Sequence, residues 1–117
     1  MSKNVIKDVV VKKSPNFATF RMSGVFGGHK PGTFEAIIYV DELMVEDALN
    51  TPNPDPSKVK IERTLQCRIV MDPVAAKTFL IWLSKHVSEY EQKYGKINLP
   101  GKLAESVKKA RAPDYTA

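Results

Sequence analysis

Between Val59 and Met71 apolar and polar residues alternate almost without a break. Val59, Ile61, Leu65, Cys67, Ile69 and Met71 fall on one side, and Lys60, Glu62, Thr64, Gln66 and Arg68 on the other. A period of two predicts a half-buried strand, in which Arg63 is the polar residue that interrupts the apolar row. Phe17 to Phe26 alternates in the same way, with Ala18, Phe20, Met22 and Phe26 on one face and Phe17, Thr19, Arg21 and Ser23 on the other. The "FGGHKPG" that follows has the Gly and Pro of a turn. Thr33 to about Val45 is expected as a further strand with Phe34, Ala36, Ile38 and Val40 facing inward, although "DELMVEDAL" at its end also suits a helix. The β-branched run Val5 to Lys12 is expected as the first strand, and the three prolines of "NTPNPDPSK" mark a loop.

The alternation stops at Asp72 and Pro73, and a period of three and four begins. Asp accepts hydrogen bonds from free backbone N–H groups, and Pro at the first helical position gives up a donor that is unpaired there anyway. The helix is expected to reach Tyr94, with Ala76, Phe79, Leu80, Leu83, Val87, Tyr90 and Tyr94 forming one apolar stripe toward the sheet. Gly95 is the expected stop, and Lys93 and Lys96 suit the negative helix end. The fold class is therefore α+β: an antiparallel sheet of about four strands followed by one long C-terminal helix packed on one face. Residues 1–97 form a single domain, and 98–117 form a basic tail or short helix.

Two magnitudes argue for a second subunit. A 13-residue strand spans about 43 Å at ~3.3 Å per residue, whereas a compact domain of this length is only about 35 Å across. One helix covers a strip about 10 Å wide, roughly half the face of four strands spaced ~4.8 Å apart. A twofold-related copy is the common way to cover the remainder, so a homodimer is expected.

Composition is that of a globular chain, with 43% hydrophobic and 26% charged residues in 117. No stretch is apolar enough for a signal peptide or a membrane span, so the reading is cytoplasmic, with no membrane partner. The single cysteine, Cys67, has no partner for a disulfide or a zinc site. The formal charge of +5 is uneven: +5 over residues 1–30, −6 over 31–57, +3 over 58–71, +1 over 72–97 and +2 over 98–117. One acidic block separates basic ones, which permits a polyanionic partner or a merely solvated surface.

"RIVMDPVAAKTFLIWLSKHVSEYEQKYGKI" resembles the C-terminal half of the small prokaryotic family known as domain of unknown function 3467. There a strand ends in a short polar residue and Pro, a helix carries Ala-Lys and Leu, and Tyr-Glu precedes Phe- or Tyr-Gly. The matching positions are Asp72, Pro73, Ala76, Lys77, Leu83, Tyr90, Glu91, Tyr94 and Gly95. These are caps and core, so the resemblance implies a fold and no reaction, substrate or cofactor. Four strands and a helix opened by a short polar residue and Pro is also similar, in topology, to the PC4, Whirly and PUR single-stranded nucleic-acid binders, an analogy of fold alone.

Candidate sites follow from the face left outside the helix. It would carry Phe17, Thr19, Arg21, Ser23, Glu35, Ile37, Tyr39, Lys60, Glu62, Thr64, Gln66, Arg68 and Val70. Single strands need aromatic planes for stacking and cations along the backbone, so Phe17, Arg21, Tyr39, Lys60 and Arg68, with the loop cations Lys12, Lys13, Lys30 and Lys58, form the expected nucleic-acid surface. The alternative is that Phe17, Ile37, Tyr39 and Val70 hold a protein partner. Ile81 and Trp82, off the main stripe, mark an expected protein interface. His29 and His86 have no partner at metal-ligand spacing, "GGHKPG" lacks the Ser or Thr and helix of a phosphate loop, and "DELMVED" lacks a calcium loop's ligand pattern. No catalytic residue, metal or cofactor is expected. A non-enzymatic homodimeric module for single-stranded DNA or RNA is the first expectation, and a protein-interaction or assembly subunit the alternative.

Overall fold

The computed structural model describes residues 8–101. Three strands, β1 (Gly24–Lys30), β2 (Thr33–Met44) and β3 (Lys60–Met71), form one sheet in the order β1-β2-β3. A four-residue helix α1 (Glu46–Leu49) and a 3-10 turn (Pro56–Lys58) connect β2 to β3, and the long helix α2 (Pro73–Tyr94) follows. The chain divides into two units. One takes Tyr39–Gln66 with the chain before Val25, the other Val25–Ile38 with the chain from Cys67 on. No described helix is long and apolar enough to cross a membrane.

Antiparallel α+β architecture, β3 and α2 agree with the sequence pattern. The number of strands does not: three form, and residues 8–22 have no regular structure apart from a turn in which Phe17 N–H donates to the Ser14 carbonyl. Residues 8–12 of the expected first strand are exposed and unpaired, because β-branched residues form strand only beside a neighbour. Residues 5–7 and the expected helix at 102–110 lie outside the described residues. The second expected strand starts late. "GVFGGHK" is β1, and the turn is only Pro31 and Gly32, the latter at φ 82°, where a side chain would be strained. Gly27 is required by packing, since a Cβ there would run into the Glu35 carbonyl oxygen across the hairpin.

The "DELMVEDAL" segment takes both expected forms in turn. It is strand through Met44, then helix from Glu46 to Leu49.

Helix α2 begins as predicted. Asp72 Oδ1 accepts from Ala75 N–H at 2.7 Å, Pro73 is the first helical residue, and the helix stops at Gly95 with φ 101°. The Glu91 side chain accepts from Ile97 N–H at 2.9 Å and holds the chain after the stop. The expected burial of its stripe against the sheet does not occur: no residue of α2 is buried. Asp72 alone separates β3 from α2, and connections between strand and helix usually need two to six residues to fold one back over the other. Among the described residues only Ile38, in one unit, and Ala48, in the other, are buried apolar residues.

The two units also read the alternation of β3 differently. In the second, Arg68 reaches Glu35, so an even position of β3 shares a face with an odd position of β2. In the first, Arg63 reaches Asp41 and Tyr39, so odd goes with odd.

Candidate functional site

The unit containing Tyr39–Gln66 pairs Arg63 with Asp41 and Lys60 with Asp47. Arg63 donates from Nε to Asp41 Oδ1 at 2.8 Å and from Nη2 to Oδ2 at 2.9 Å, a two-point fork that fixes both side chains. The hydrogen bonds from Arg63 hold the Asp41 carboxyl below the ordinary aspartate range, with desolvation opposing them and the charge of Arg63 adding to them. The same pairing raises Arg63. The guanidinium lies 4.1 Å from the Tyr39 ring centroid, and Gly24 approaches that tyrosine so closely that a Cβ would strike its ring and hydroxyl. Tyr39 N–H and C=O belong to the sheet, where its carbonyl accepts from Ser23 N–H, while Ser23 Oγ accepts from Asp41 N–H. Lys60 pairs with Asp47 at 3.4 Å. Lys58 lines a shallow hollow with Lys60, Asp47, Asn50 and Ser57.

The other unit is left open in two places. A concavity of about 330 Å³ is lined by Phe26, Gly27, Gly28, His29, Lys30, Thr33, Glu35, Ile37 and Arg68. Its one ion pair is a single bond, Arg68 Nη1 to Glu35 Oε1 at 2.7 Å. The second open place is the α2 stripe. Phe79 stacks on Trp82 with ring centroids 6.0 Å apart, Trp82 meets His86 at 4.8 Å, and Tyr90 meets Tyr94 at 4.9 Å.

The expected nucleic-acid residues fall in both units. Lys12, Lys13, Phe17 and Arg21 lie in the irregular segment, with Lys13 Nζ 5.2 Å from the Phe17 ring. Lys58 and Lys60 sit together near Asp47, Tyr39 stands under Arg63, and Lys30 and Arg68 line the concavity. Of the two expected interface residues, Trp82 joins the stripe through Phe79 and His86, while Ile81, two positions on from Phe79, points from the opposite side of the helix. Arg63, Phe26, Gly28, His29 and Glu35 were not among the expected site residues. "FGGHK" read as turn hides the concavity, though two glycines inside a strand are themselves a sign of close backbone approach or required space. Both histidines sit in aromatic contacts, His29 with Phe34 and His86 with Trp82. Among the described residues no group of three or more His, Cys, Asp or Glu is placed to hold a metal ion.

The family described as Protein of unknown function (DUF3467) matches residues 41–99, from the end of β2 through both connecting turns, β3 and α2. The chain belongs to the DUF3467 family. No curated protein and no solved structure matches it. DUF3467 membership thus covers the Arg63–Asp41 cluster, Arg68 and the helix stripe, whereas Phe26, Gly28, Lys30 and Glu35 precede the matched residues. The match is longer than the strand-to-helix stretch that carries the resemblance, and it reaches back to Asp41.

Proposed function

We propose that this DUF3467 protein is a non-enzymatic assembly module whose apolar core is completed when a second copy lays its α2 along this one. The uncovered stripe carries the proposal. Phe79, Trp82, Tyr90 and Tyr94 are 50%, 53%, 52% and 65% exposed, which at 150–250 Å² per aromatic side chain amounts to roughly 400 Å². Leu80, Leu83 and Val87 raise this to roughly 600 Å², near the ~800 Å² that each partner contributes to a standard interface and at the upper end of the ~300–600 Å² of a monomer's largest apolar patch.

The stripe suits a copy of itself. A twofold axis near Val87 sets Leu80 against Tyr94 of the partner subunit and brings Glu89, on the flank, beside Lys85 of the partner subunit. Ion pairing favours this reading over a single-strand platform spread along β3, because Lys60 and Arg63 each have a carboxylate and Tyr39 has its ring engaged.

Light scattering on the full chain is expected to give twice the 13.1 kDa chain mass. Leu83→Asp is expected to raise the dimer dissociation constant by about 100-fold, equivalent to about 2.7 kcal/mol. Val87→Cys in a Cys67→Ser background should cross-link two copies under mild oxidation. A monomer at every concentration, with no cross-link, would refute the proposal.

A further inference from the structure

We propose that the β1–β2 hairpin concavity binds one nucleotide unit of a single-stranded nucleic acid, its phosphate at Arg68 and Lys30 and its base against Phe26. This site does not depend on whether copies pair through α2.

The two-residue turn pairs Lys30 with Thr33 across the hairpin, and His29 meets Phe34 with ring centroids 5.8 Å apart. Phe26, Gly28 and Lys30 of β1 line the hollow together with Glu35 and Ile37 of β2. Gly28 is unlike its neighbour Gly27. A Cβ at Gly28 would meet nothing within 4 Å, and its φ is not in the left-handed region. Neither packing nor backbone geometry asks for glycine there, and glycine inside a strand is destabilising. What its missing side chain provides is room, in a hollow of about 330 Å³, within the range of small-ligand sites.

The polar groups around that room are suited to an anion. Arg68 has five N–H donors and spends one on Glu35, so the carboxylate orients the guanidinium and leaves most of the fork for a ligand. Arg63, by contrast, commits both arms of its fork to Asp41. Lys30 forms no ion pair with a described residue. Glu35 is the carboxylate in the hollow, and its charge is met by Arg68. Phe26 is 71% exposed at the rim, the setting in which a base stacks on an aromatic ring. An acidic peptide would use the cations and not the ring.

Fluorescence anisotropy of the full chain with labelled oligo-dT, labelled oligo-U and duplex DNA, across a KCl series, tests this. Either single strand should bind in preference to duplex. One neutralised phosphate on a single strand gives a slope of log affinity on log salt of about −0.7, which Arg68→Gln should flatten further. Phe26→Ala should weaken binding about tenfold, within the range of one base–aromatic stack. Gly28→Val should abolish it with an unchanged or higher Tm, and Arg63→Gln should leave it intact. If Gly28→Val does not fold, Phe26→Ala decides. No binding at low salt, equal displacement by polyglutamate, no loss in Phe26→Ala, or a slope steeper than about −3 would each overturn the assignment.

Discussion

Arg63 and Arg68 stand on the same strand and each meets a carboxylate of β2, yet their surroundings differ. Around Arg63 the polar groups close on one another: Asp41 takes both arms of the fork, Tyr39 takes the face of the guanidinium, and Ser23 holds the Asp41 backbone. Around Arg68 one bond to Glu35 sits beside an unpaired lysine, an exposed phenylalanine and a glycine with empty space above it. A charge bonded on every side gives geometry to the fold, whereas a charge held at one point keeps bonding capacity for something outside it. The same unit carries the uncovered α2 stripe.

The largest effect should come where openness ends, at Gly27. Gly27→Val forces a side chain onto the Glu35 carbonyl and is expected to cost several kcal/mol, as overpacking and backbone strain do. Thermal unfolding should detect this at Gly27 and not at Gly28, so equal destabilisation at the two positions would break the distinction between a close approach and a vacant one.

The next effect is at the start of α2. Asp72→Ala removes the acceptor for Ala75 N–H and should lower stability by about 1 kcal/mol, a fall in Tm of roughly 4–8 °C. Because it leaves the stripe chemically unchanged, dimer mass in light scattering should survive below the melting transition.

The smallest effect separates the two arginines by pH. Asp41 is held below the ordinary aspartate range in the folded chain, chiefly by the hydrogen bonds from Arg63. Its contribution to stability is therefore complete above the unfolded pKa of about 3.9 and is lost as pH falls through the lower folded value. Acid titrations followed by circular dichroism should show a shallower loss of stability below about pH 4 in Asp41→Asn than in the unsubstituted chain. An acid limb in Asp41→Asn as steep as in the unsubstituted chain would break the closed pairing described for Arg63.

Much of this was readable along the chain, for a common reason. The Asp72 and Pro73 cap, the Gly95 stop and the alternation of β3 all rest on contacts between residues a few positions apart, which periodicity and capping chemistry reach directly. The apolar composition of the stripe was equally plain, although Trp82, expected off the stripe, stacks on Phe79 as part of it. The hairpin was misjudged because Gly27 and Gly28 look like turn residues when their partner strand is out of sight. The first strand was misjudged because Val9, Val10 and Val11 favour extended backbone without supplying a neighbour to bond to.

The residues by themselves determined which segments take which periodicity, where α2 starts and stops, and how apolar its stripe is. Tertiary structure alone decided that the stripe finds no cover among the described residues, that Arg63 meets Tyr39 and Asp41, and that Gly28, Lys30 and Arg68 share a hollow. Register and burial depend on which strands meet and how far apart they lie in the chain, and a pattern counted in steps of two or four carries no information about that distance.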